Sequence, residues 1–193
     1  CRIGLGKHLN YEYFEEFIEE ILKSGIKVVY VHARNAILTG ISPKGNRTIP
    51  PLNYEFLTKI KNKFPNTTFI LNGGIDSIEK ALELSKCHDG VMVGRLVQNN
   101  PFCLKNIDKL FYNKPNKYLI SENTIKEYFN YIKPKIGTDS VYRLLSPLLN
   151  IFFGIPNVKK FRIEIHQNMQ NQNFEILEKI FLNFVNEKKI SIN

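Results

Sequence analysis

The N-terminal half of the chain alternates short apolar runs with stretches of helical periodicity. The runs lie at 1–4, 28–32, 68–74 and 90–95, and they are β-branched and nearly continuous in apolar character. Such runs are typical of strands buried on both faces, as in a parallel sheet. Between them apolar residues recur three and four apart, as in the set Phe14, Phe17, Ile18, Ile21 and Leu22. This β-α alternation predicts an α/β fold with a parallel sheet.

The C-terminal half shows helical periodicity and no convincing strand. Apolar residues recur at helical spacing in three stripes, at 125–132, 141–152 and 174–185. Their spacing predicts a small antiparallel helical bundle. Pro147 is expected to kink the second helix, and Pro156 suits the first turn of the helix that follows. The pattern changes near Pro101, so we expect one domain at residues 1–104 and an all-α domain at residues 105–193.

Glycines follow the last two apolar runs directly. The sequence reads LNGGIDS and later GVMVGR, which places Gly73, Gly74 and Gly94 at the expected carboxyl ends of strands. Ligands bind at these ends in parallel α/β folds, and glycine lets backbone N–H groups approach a phosphate. Arg95 adds a guanidinium that can bind phosphate oxygens. The two motifs together predict a phosphate site; the alternative is two plain turns in which glycine serves the bend.

A histidine and an unusually long loop follow the second apolar run. His32 ends that run, in line with the glycines, where it can contact a ligand; the alternative is a structural histidine. The loop at 33–51 contains Arg34, Lys44 and Arg47 among glycine and proline. Loops of this length in compact domains tend to be functional. We expect these cations to contact a phosphate backbone, although a solvated loop would have the same composition.

The charge balance favours a polyanionic partner. The net charge is +9; residues 1–104 carry 13 Lys+Arg against 10 Asp+Glu, and residues 105–193 carry 14 against 8. RNA is the leading candidate, and compositional drift toward lysine is the alternative. Three irregularly spaced cysteines indicate neither a disulfide framework nor a metal site, and they fit a reducing, cytoplasmic compartment. No membrane span is expected, since no apolar run reaches about 18 residues.

Several stretches resemble the tRNA-dihydrouridine synthases, in particular the A-type subfamily. The most specific is VHARNAILTGISPKGNRTIPPL, and LNGGIDS and DGVMVGR accompany it. CRIG resembles the strand that precedes this segment in the family, and LLNIFFGIPNVKKFR resembles part of the subfamily's C-terminal helical domain. The likeness covers essentially the whole chain. It implies the second half of a (β/α)8 TIM barrel, with about four β/α units, followed by a C-terminal all-α helical bundle.

The resemblance implies a flavin enzyme that acts on tRNA. Members of the family hold FMN at the top of the barrel and reduce the C5–C6 double bond of selected uridines with a hydride from the reduced flavin. NADPH then reloads the flavin. The A-type resemblance implies uridines 20 and 20a of the D-loop as targets, and the full-length protein is expected to be monomeric.

The resemblance also implies roles for individual residues. Those that would hold FMN are His32 at the flavin ring and, on the phosphate side, Asn72, Gly73, Gly74, Gly94 and Arg95. Those that would touch tRNA are Lys44 and Arg47 on the long loop and Lys159 and Arg162 on the bundle.

Parts of the catalyst are expected to lie outside this chain. A complete barrel has eight strands in about 250 residues, whereas four runs are present, the first only a stub. The family's proton-donor cysteine and a flavin-contacting lysine would both precede Cys1, because Cys1, Cys87 and Cys103 match other positions. We therefore expect an incomplete chain that is inactive by itself. Two alternatives stay open: a non-catalytic RNA-binding remnant, and another FMN-binding TIM-barrel oxidoreductase such as a dihydroorotate dehydrogenase relative.

Overall fold

The structure, a computed structural model, describes residues 1–115, 121–171 and 173–188. The chain divides into two compact units, Cys1–Leu96 and Val97–Asn193. The roles predicted for the two halves of the chain, FMN binding and tRNA binding, stay predictions.

The first unit is built on a parallel sheet with the strand order β1–β2–β3. Its strands are β1 (Val28–His32), β2 (Thr68–Asn72) and β3 (Gly90–Met92). His32 lies opposite Asn72 in the pairing of β1 with β2, and Asn72 lies opposite Met92 in the pairing of β2 with β3. The predicted α/β fold with a parallel sheet is confirmed. The sheet is open and is consistent with part of a TIM barrel.

Three helices alternate with these strands. They are α1 (Tyr11–Lys23), α2 (Glu55–Lys63) and α3 (Ile78–Ser85). The α1 helix begins after Asn10, whose side chain accepts a hydrogen bond from the Tyr13 amide, and it is followed by Gly25 at φ 85°. Glycine is favoured there because that left-handed conformation strains other residues. The α3 helix begins after Ser77, a residue type favoured at N-caps, whose hydroxyl accepts a hydrogen bond from the Lys80 amide.

The predicted stub strand at 1–4 does not form a strand. Arg2 makes an isolated parallel bridge with His32. The His32 amide donates to the Cys1 carbonyl (2.9 Å), and the Cys1 terminal amine donates to the Tyr30 carbonyl (2.7 Å). A ladder needs several consecutive pairs, and this segment offers one beside β1. The prediction of a fourth strand is therefore wrong for the described residues, although residues 1–4 lie along β1.

The sheet has one buried face and one open face. The strand side chains that pack against the helices are Val29, Val31, Phe69 and Leu71. The intervening residues Val28 and Tyr30 are 47% and 54% exposed. Because side chains alternate along a strand, His32 lies on this open face as well. The prediction of burial on both faces is wrong for the described residues, since helices cover a single side of the sheet.

The second unit is helical. Its helices are α5 (Ile107–Tyr112), α6 (Glu122–Ile132), α7 (Val141–Ile151), α8 (Val158–Met169) and α9 (Phe174–Lys188), and the short α4 (Arg95–Asn99) precedes them. The predicted apolar stripes share one core, in which the rings of Phe152, Phe161 and Phe184 have centroids 4.4 to 5.2 Å apart. No helix among the described residues combines the length and apolar character needed to cross a bilayer.

The kink expected at Pro147 stays a prediction, whereas the position expected for Pro156 is wrong. The α7 helix continues through Pro147. Proline lacks the N–H that would bond the Arg143 carbonyl, and the Ser146 hydroxyl donates to that carbonyl instead (3.1 Å). Pro156 lies outside the helix that it was expected to begin, because Asn157 adopts φ 68° before α8 starts.

Candidate anion-binding site

The carboxyl ends of the three strands lie side by side. His32, Asn72 and Met92 end the strands, and Asn72 is the neighbour of both others. The motif with Gly73 and Gly74, called the glycine pair from here on, follows β2 directly, and Gly94 and Arg95 follow β3 within three residues. The structure therefore brings both predicted phosphate motifs and His32 to one edge of the sheet.

The glycine pair has a backbone that other residues rarely adopt. The φ angles of Gly73 and Gly74 are 112° and 68°. A Cβ at Gly73 would lie 2.4 Å from the His32 ring, and one at Gly74 would lie 2.3 Å from Leu52. Both conformation and space thus require glycine, as the bend interpretation supposed. Within the described residues neither amide of the pair donates a hydrogen bond; Gly73 is buried, and Gly74 is partly exposed.

Gly94 is in a different situation. A Cβ at this position would meet no atom within 4 Å, and φ does not lie in the left-handed region. The residue is exposed. Packing within the described residues does not explain this glycine, whereas close approach of a ligand to the backbone would.

His32 is held in its neutral form. Burial and neighbouring cations lower its pKa to about 4. Desolvation is the largest cause, and repulsion by the guanidinium groups of Arg2, Arg34 and Arg95 follows. At neutral pH the imidazole can therefore donate one hydrogen bond and accept another. Arg2 pairs with His32 beside β1, and Arg34 follows His32 by two residues.

Four arginines form a cluster at this edge, called the arginine cluster: Arg2, Arg34, Arg47 and Arg95. Three of their guanidinium groups donate to backbone carbonyls, Arg2 to Asn35 (2.8 Å) and Asn46 (2.9 Å), Arg34 to Pro50, and Arg95 to Arg47 (3.1 Å). None of the four pairs with a carboxylate in the part of the chain that the structure describes. Desolvation and mutual repulsion lower the pKa of Arg2. A cationic cluster without a counter-ion attracts an anion.

The long loop is fixed in place by Asn46. Its side chain exchanges two hydrogen bonds, of 2.7 and 2.8 Å, with the backbone of Ile37. A short 3₁₀ turn, Gly45–Arg47, follows Lys44. Lys44 and Arg47, the predicted tRNA contacts of the loop, are both exposed. Their role in RNA binding stays a prediction.

The other two predicted tRNA contacts lie on α8. Lys159 is exposed, and Arg162 is partly buried. The Arg162 guanidinium donates through Nε and Nη2 to the Leu149 carbonyl at 3.2 and 3.0 Å. Leu149 is in the last turn of α7, where carbonyls lack partners within the helix. Arg162 thus stabilises the fold of the bundle, and its contact with RNA stays a prediction.

Sequence reasoning missed several residues of this site. Arg2 was assigned only to a strand, although its place in the first apolar run was a signal that it could meet other strand ends. Arg34, expected to face RNA, also lies close enough to lower the pKa of His32, and its contact with RNA stays a prediction. Tyr54 and Lys80 bind the backbone carbonyls of the glycine pair, and no local pattern marks either residue for that role.

These features define a class of protein. A parallel sheet with helices between its strands places the chain among the α/β proteins, in which ligands bind at the carboxyl ends of the strands. Here that edge carries glycines, a histidine and arginines that have no carboxylate partner among the described residues. The sequence model of the family described as dihydrouridine synthase (Dus) matches residues 1–187. The chain belongs to the dihydrouridine synthase family, and the resemblance noted in its sequence is confirmed at this level.

Curated relatives agree with this placement. The tRNA-dihydrouridine(20/20a) synthase of Yersinia pestis is 33% identical over 169 residues, which are 86% of this chain and 49% of the relative. That of Synechocystis sp. (strain ATCC 27184 / PCC 6803 / Kazusa) is 35% identical over 83% of this chain and 48% of the relative. That of Pasteurella multocida (strain Pm70) is 32% identical over 95% and 57%. The chain spans about half the length of the curated relatives it matches.

Proposed function

We propose that this chain is part of an A-type tRNA-dihydrouridine synthase and that its first unit holds FMN. The observation that carries the proposal is the arginine cluster beside the glycine pair, in a member of the Dus family. The arginines have no carboxylate partners among the described residues, and the buried Nε of Arg34 has no hydrogen-bond partner there. Guanidinium groups and free amides suit the phosphate of a flavin nucleotide.

The residues proposed to hold FMN suit different parts of that molecule. The residues on the phosphate side are Asn72, Gly73, Gly74, Gly94 and Arg95. Neutral His32, on the open face of the sheet, can exchange a hydrogen bond with the flavin ring. Bound FMN would supply the hydride that reduces the C5–C6 bond of uracil, with NADPH as the reductant that reloads it.

We propose tRNA as the substrate of the full-length protein. The relatives' names carry the designation 20/20a, and we propose uridines 20 and 20a as the targets. A uracil must leave its stack to reach a flavin ring, so the enzyme must hold deformed RNA. The proposed contacts are Lys44, Arg47, Lys159 and Arg162, and the net charge of +9 supports binding to a polyanion.

The chain supplies only part of the proposed catalyst. Cys87 lies before β3, at the end opposite the glycine motifs, and Cys103 lies in the second unit. We propose neither of them, nor Cys1, as the proton donor to the uracil carbon. The donor and the remaining strands would belong to the part of the full-length protein that this chain does not span.

Flavin binding by the 193-residue chain tests the proposal. Followed by flavin fluorescence, FMN should bind more tightly than riboflavin, because only FMN carries the phosphate. Arg95→Gln should weaken FMN binding by about tenfold, the scale of a lost charge-assisted hydrogen bond, and leave riboflavin binding unchanged. Arg143→Gln, an exposed arginine of the bundle that pairs with Asp139, is the matched control. Equal affinity for both flavins would contradict the proposal.

A non-catalytic RNA-binding role is the second candidate. The exposed cations Lys44, Arg47 and Lys159 favour it, since they do not depend on a flavin. This role predicts tRNA binding that weakens steeply with salt, together with no measurable FMN binding. Another FMN-dependent barrel oxidoreductase predicts the reverse pair of results.

A further inference from the structure

Both carbonyl groups of the glycine pair are held by side chains from other elements. The Tyr54 hydroxyl donates to the Gly73 carbonyl at 2.8 Å. The Lys80 ammonium donates to the Gly74 carbonyl at 2.7 Å and lies 3.4 Å from an Asp76 carboxylate oxygen. Two consecutive peptide units are therefore anchored from outside the loop.

Anchoring a carbonyl also orients an amide. The peptide group is planar and trans, so the C=O of one residue and the N–H of the next point in opposite directions. The Gly74 N–H therefore points away from the Tyr54 hydroxyl. The Ile75 N–H likewise points away from the Lys80 ammonium. Neither amide donates a hydrogen bond within the described residues. Two free donors are consequently held in fixed directions at the end of β2.

The surroundings of both side chains fit this role. Tyr54 immediately precedes α2 and is partly buried, and burial raises the pKa of its phenol, which keeps the hydroxyl protonated as a donor. Lys80 lies in the first turn of α3. A cation in that turn opposes the helix dipole, so local helix stability does not account for the residue, whereas its bond to the Gly74 carbonyl does.

We infer that Tyr54 and Lys80 are positioning residues of the phosphate loop. They act through the backbone: each holds a carbonyl so that the following amide faces a phosphate oxygen. The inference rests on the proposed function, because the phosphate is that of FMN. It adds two residues outside the set predicted to touch the cofactor.

The decisive variant is Tyr54→Phe, which removes one oxygen and no charge. FMN binding to the full chain should weaken several-fold, while riboflavin binding stays unchanged, because only the phosphate uses the oriented amide. A general loss of structure would weaken both flavins equally. Tyr13→Phe, an exposed tyrosine of α1, is the control and should bind FMN as the wild type does. Unchanged FMN binding in Tyr54→Phe would overturn the inference and leave the proposed function standing.

Lys80 is tested with a pair of variants. Lys80→Met should weaken FMN binding and spare riboflavin, and Lys80→Arg, which keeps a cationic donor, should restore most of the affinity. Lys59→Met, which removes an exposed lysine of α2 paired with Glu55, controls for net charge. Equal effects of Lys80→Met and Lys59→Met would overturn the role of Lys80.

A readout without flavin separates the inference from the proposed function. In amide NMR spectra of the full chain, inorganic phosphate should shift the Gly74 and Ile75 resonances, and Tyr54→Phe should reduce the shift of Gly74 more than that of Ile75. This result would support the inference even in a chain that does not bind FMN. Phosphate shifts that are absent, or equal in wild type and variant, would overturn it.

Discussion

At the scale of single residues, substitution by alanine should destabilise the chain at Gly73 and leave its stability nearly unchanged at Gly94. Gly73→Ala places a Cβ 2.4 Å from the His32 ring at a φ of 112°. We expect the free energy of unfolding to fall by about 1–3 kcal/mol, the cost of strained backbone. Gly94→Ala meets no atom within 4 Å and should change stability by less than about 0.5 kcal/mol.

Urea denaturation followed by circular dichroism measures both changes. FMN titration of the folded Gly94→Ala chain then shows whether a methyl group there obstructs the ligand. Equal losses of stability in the two variants would contradict the difference in backbone conformation and space between Gly73 and Gly94.

The neutral state of His32 gives the site a pH signature. Its pKa is about 4 in the folded chain against an ordinary 6.5, so between these values the unfolded chain binds a proton that the folded chain does not. Stability from this group is complete above pH 6.5 and falls as the pH drops toward 4. A bound phosphate offsets the repulsion by the arginines, so FMN or inorganic phosphate should raise the pKa of His32.

Histidine NMR titrations with and without phosphate check this prediction. His88 serves as an internal control, because burial lowers its pKa and it precedes β3, away from the glycine motifs. Phosphate should leave the His88 titration unchanged. An equal response of both rings would show that the anion does not bind beside His32.

At the scale of helices, alanine variants of Arg162 and Lys159 distinguish a role in stability from a role in RNA binding. Arg162→Ala removes both hydrogen bonds to the Leu149 carbonyl, so the free energy of unfolding should fall by about 1 kcal/mol. Lys159→Ala removes an exposed charge and should leave stability unchanged. Each variant should also reduce the slope of log affinity for tRNA against log salt by about 0.7–0.9, one phosphate contact.

Thermal unfolding and filter binding at several salt concentrations test both expectations. A loss of stability in Arg162→Ala with an unchanged salt slope would assign this arginine to the fold alone.

The strands could be located from the sequence because their signal is local. The runs at 28–32, 68–74 and 90–95 each contain an observed strand. The run at 1–4 could not be assigned in this way, because an apolar segment becomes a strand only when it forms a ladder of hydrogen bonds with a neighbouring strand. The burial of the sheet was overestimated for a related reason. A nearly continuous apolar strand predicts that both faces of the sheet are covered, but the pattern does not identify the segment that covers each face.

The position of candidate-site residues was predictable where they follow strand ends and unpredictable where distant segments meet. His32, the glycine pair and Gly94 could be named because position in a parallel sheet determines their edge. Tyr54 lies 19 positions from the carbonyl it binds, and Arg2 reaches the carbonyl of Asn46 across 44. Contacts of this kind depend on how loops fold back, which no short-range periodicity encodes.

At the scale of the whole molecule, the chain should lack activity by itself. It spans about half of the relatives' length, and we propose that the proton donor belongs to the part of the full-length protein that this chain does not span. Incubated with FMN, NADPH and unmodified tRNA, it should form no dihydrouridine detectable by mass spectrometry of nucleosides. Co-expression with the N-terminal half of a relative should restore formation if the halves assemble. Turnover by the chain alone would refute the proposed division of the catalyst.

The open face of the sheet carries both apolar side chains and a residue of the candidate site. Val28 and Tyr30 on that face lead directly to His32, so whatever segment packs over the first two also walls in the third. In the proposed full-length enzyme, completing the barrel would exclude water from bound FMN and cover the apolar side chains of the open face in the same step. In the proposed enzyme, a mutation far from the cofactor that loosens this closure would admit dioxygen to bound reduced flavin. The flavin would pass two electrons to dioxygen and form hydrogen peroxide, so the loss would appear first as NADPH consumed without dihydrouridine rather than as a misfolded protein.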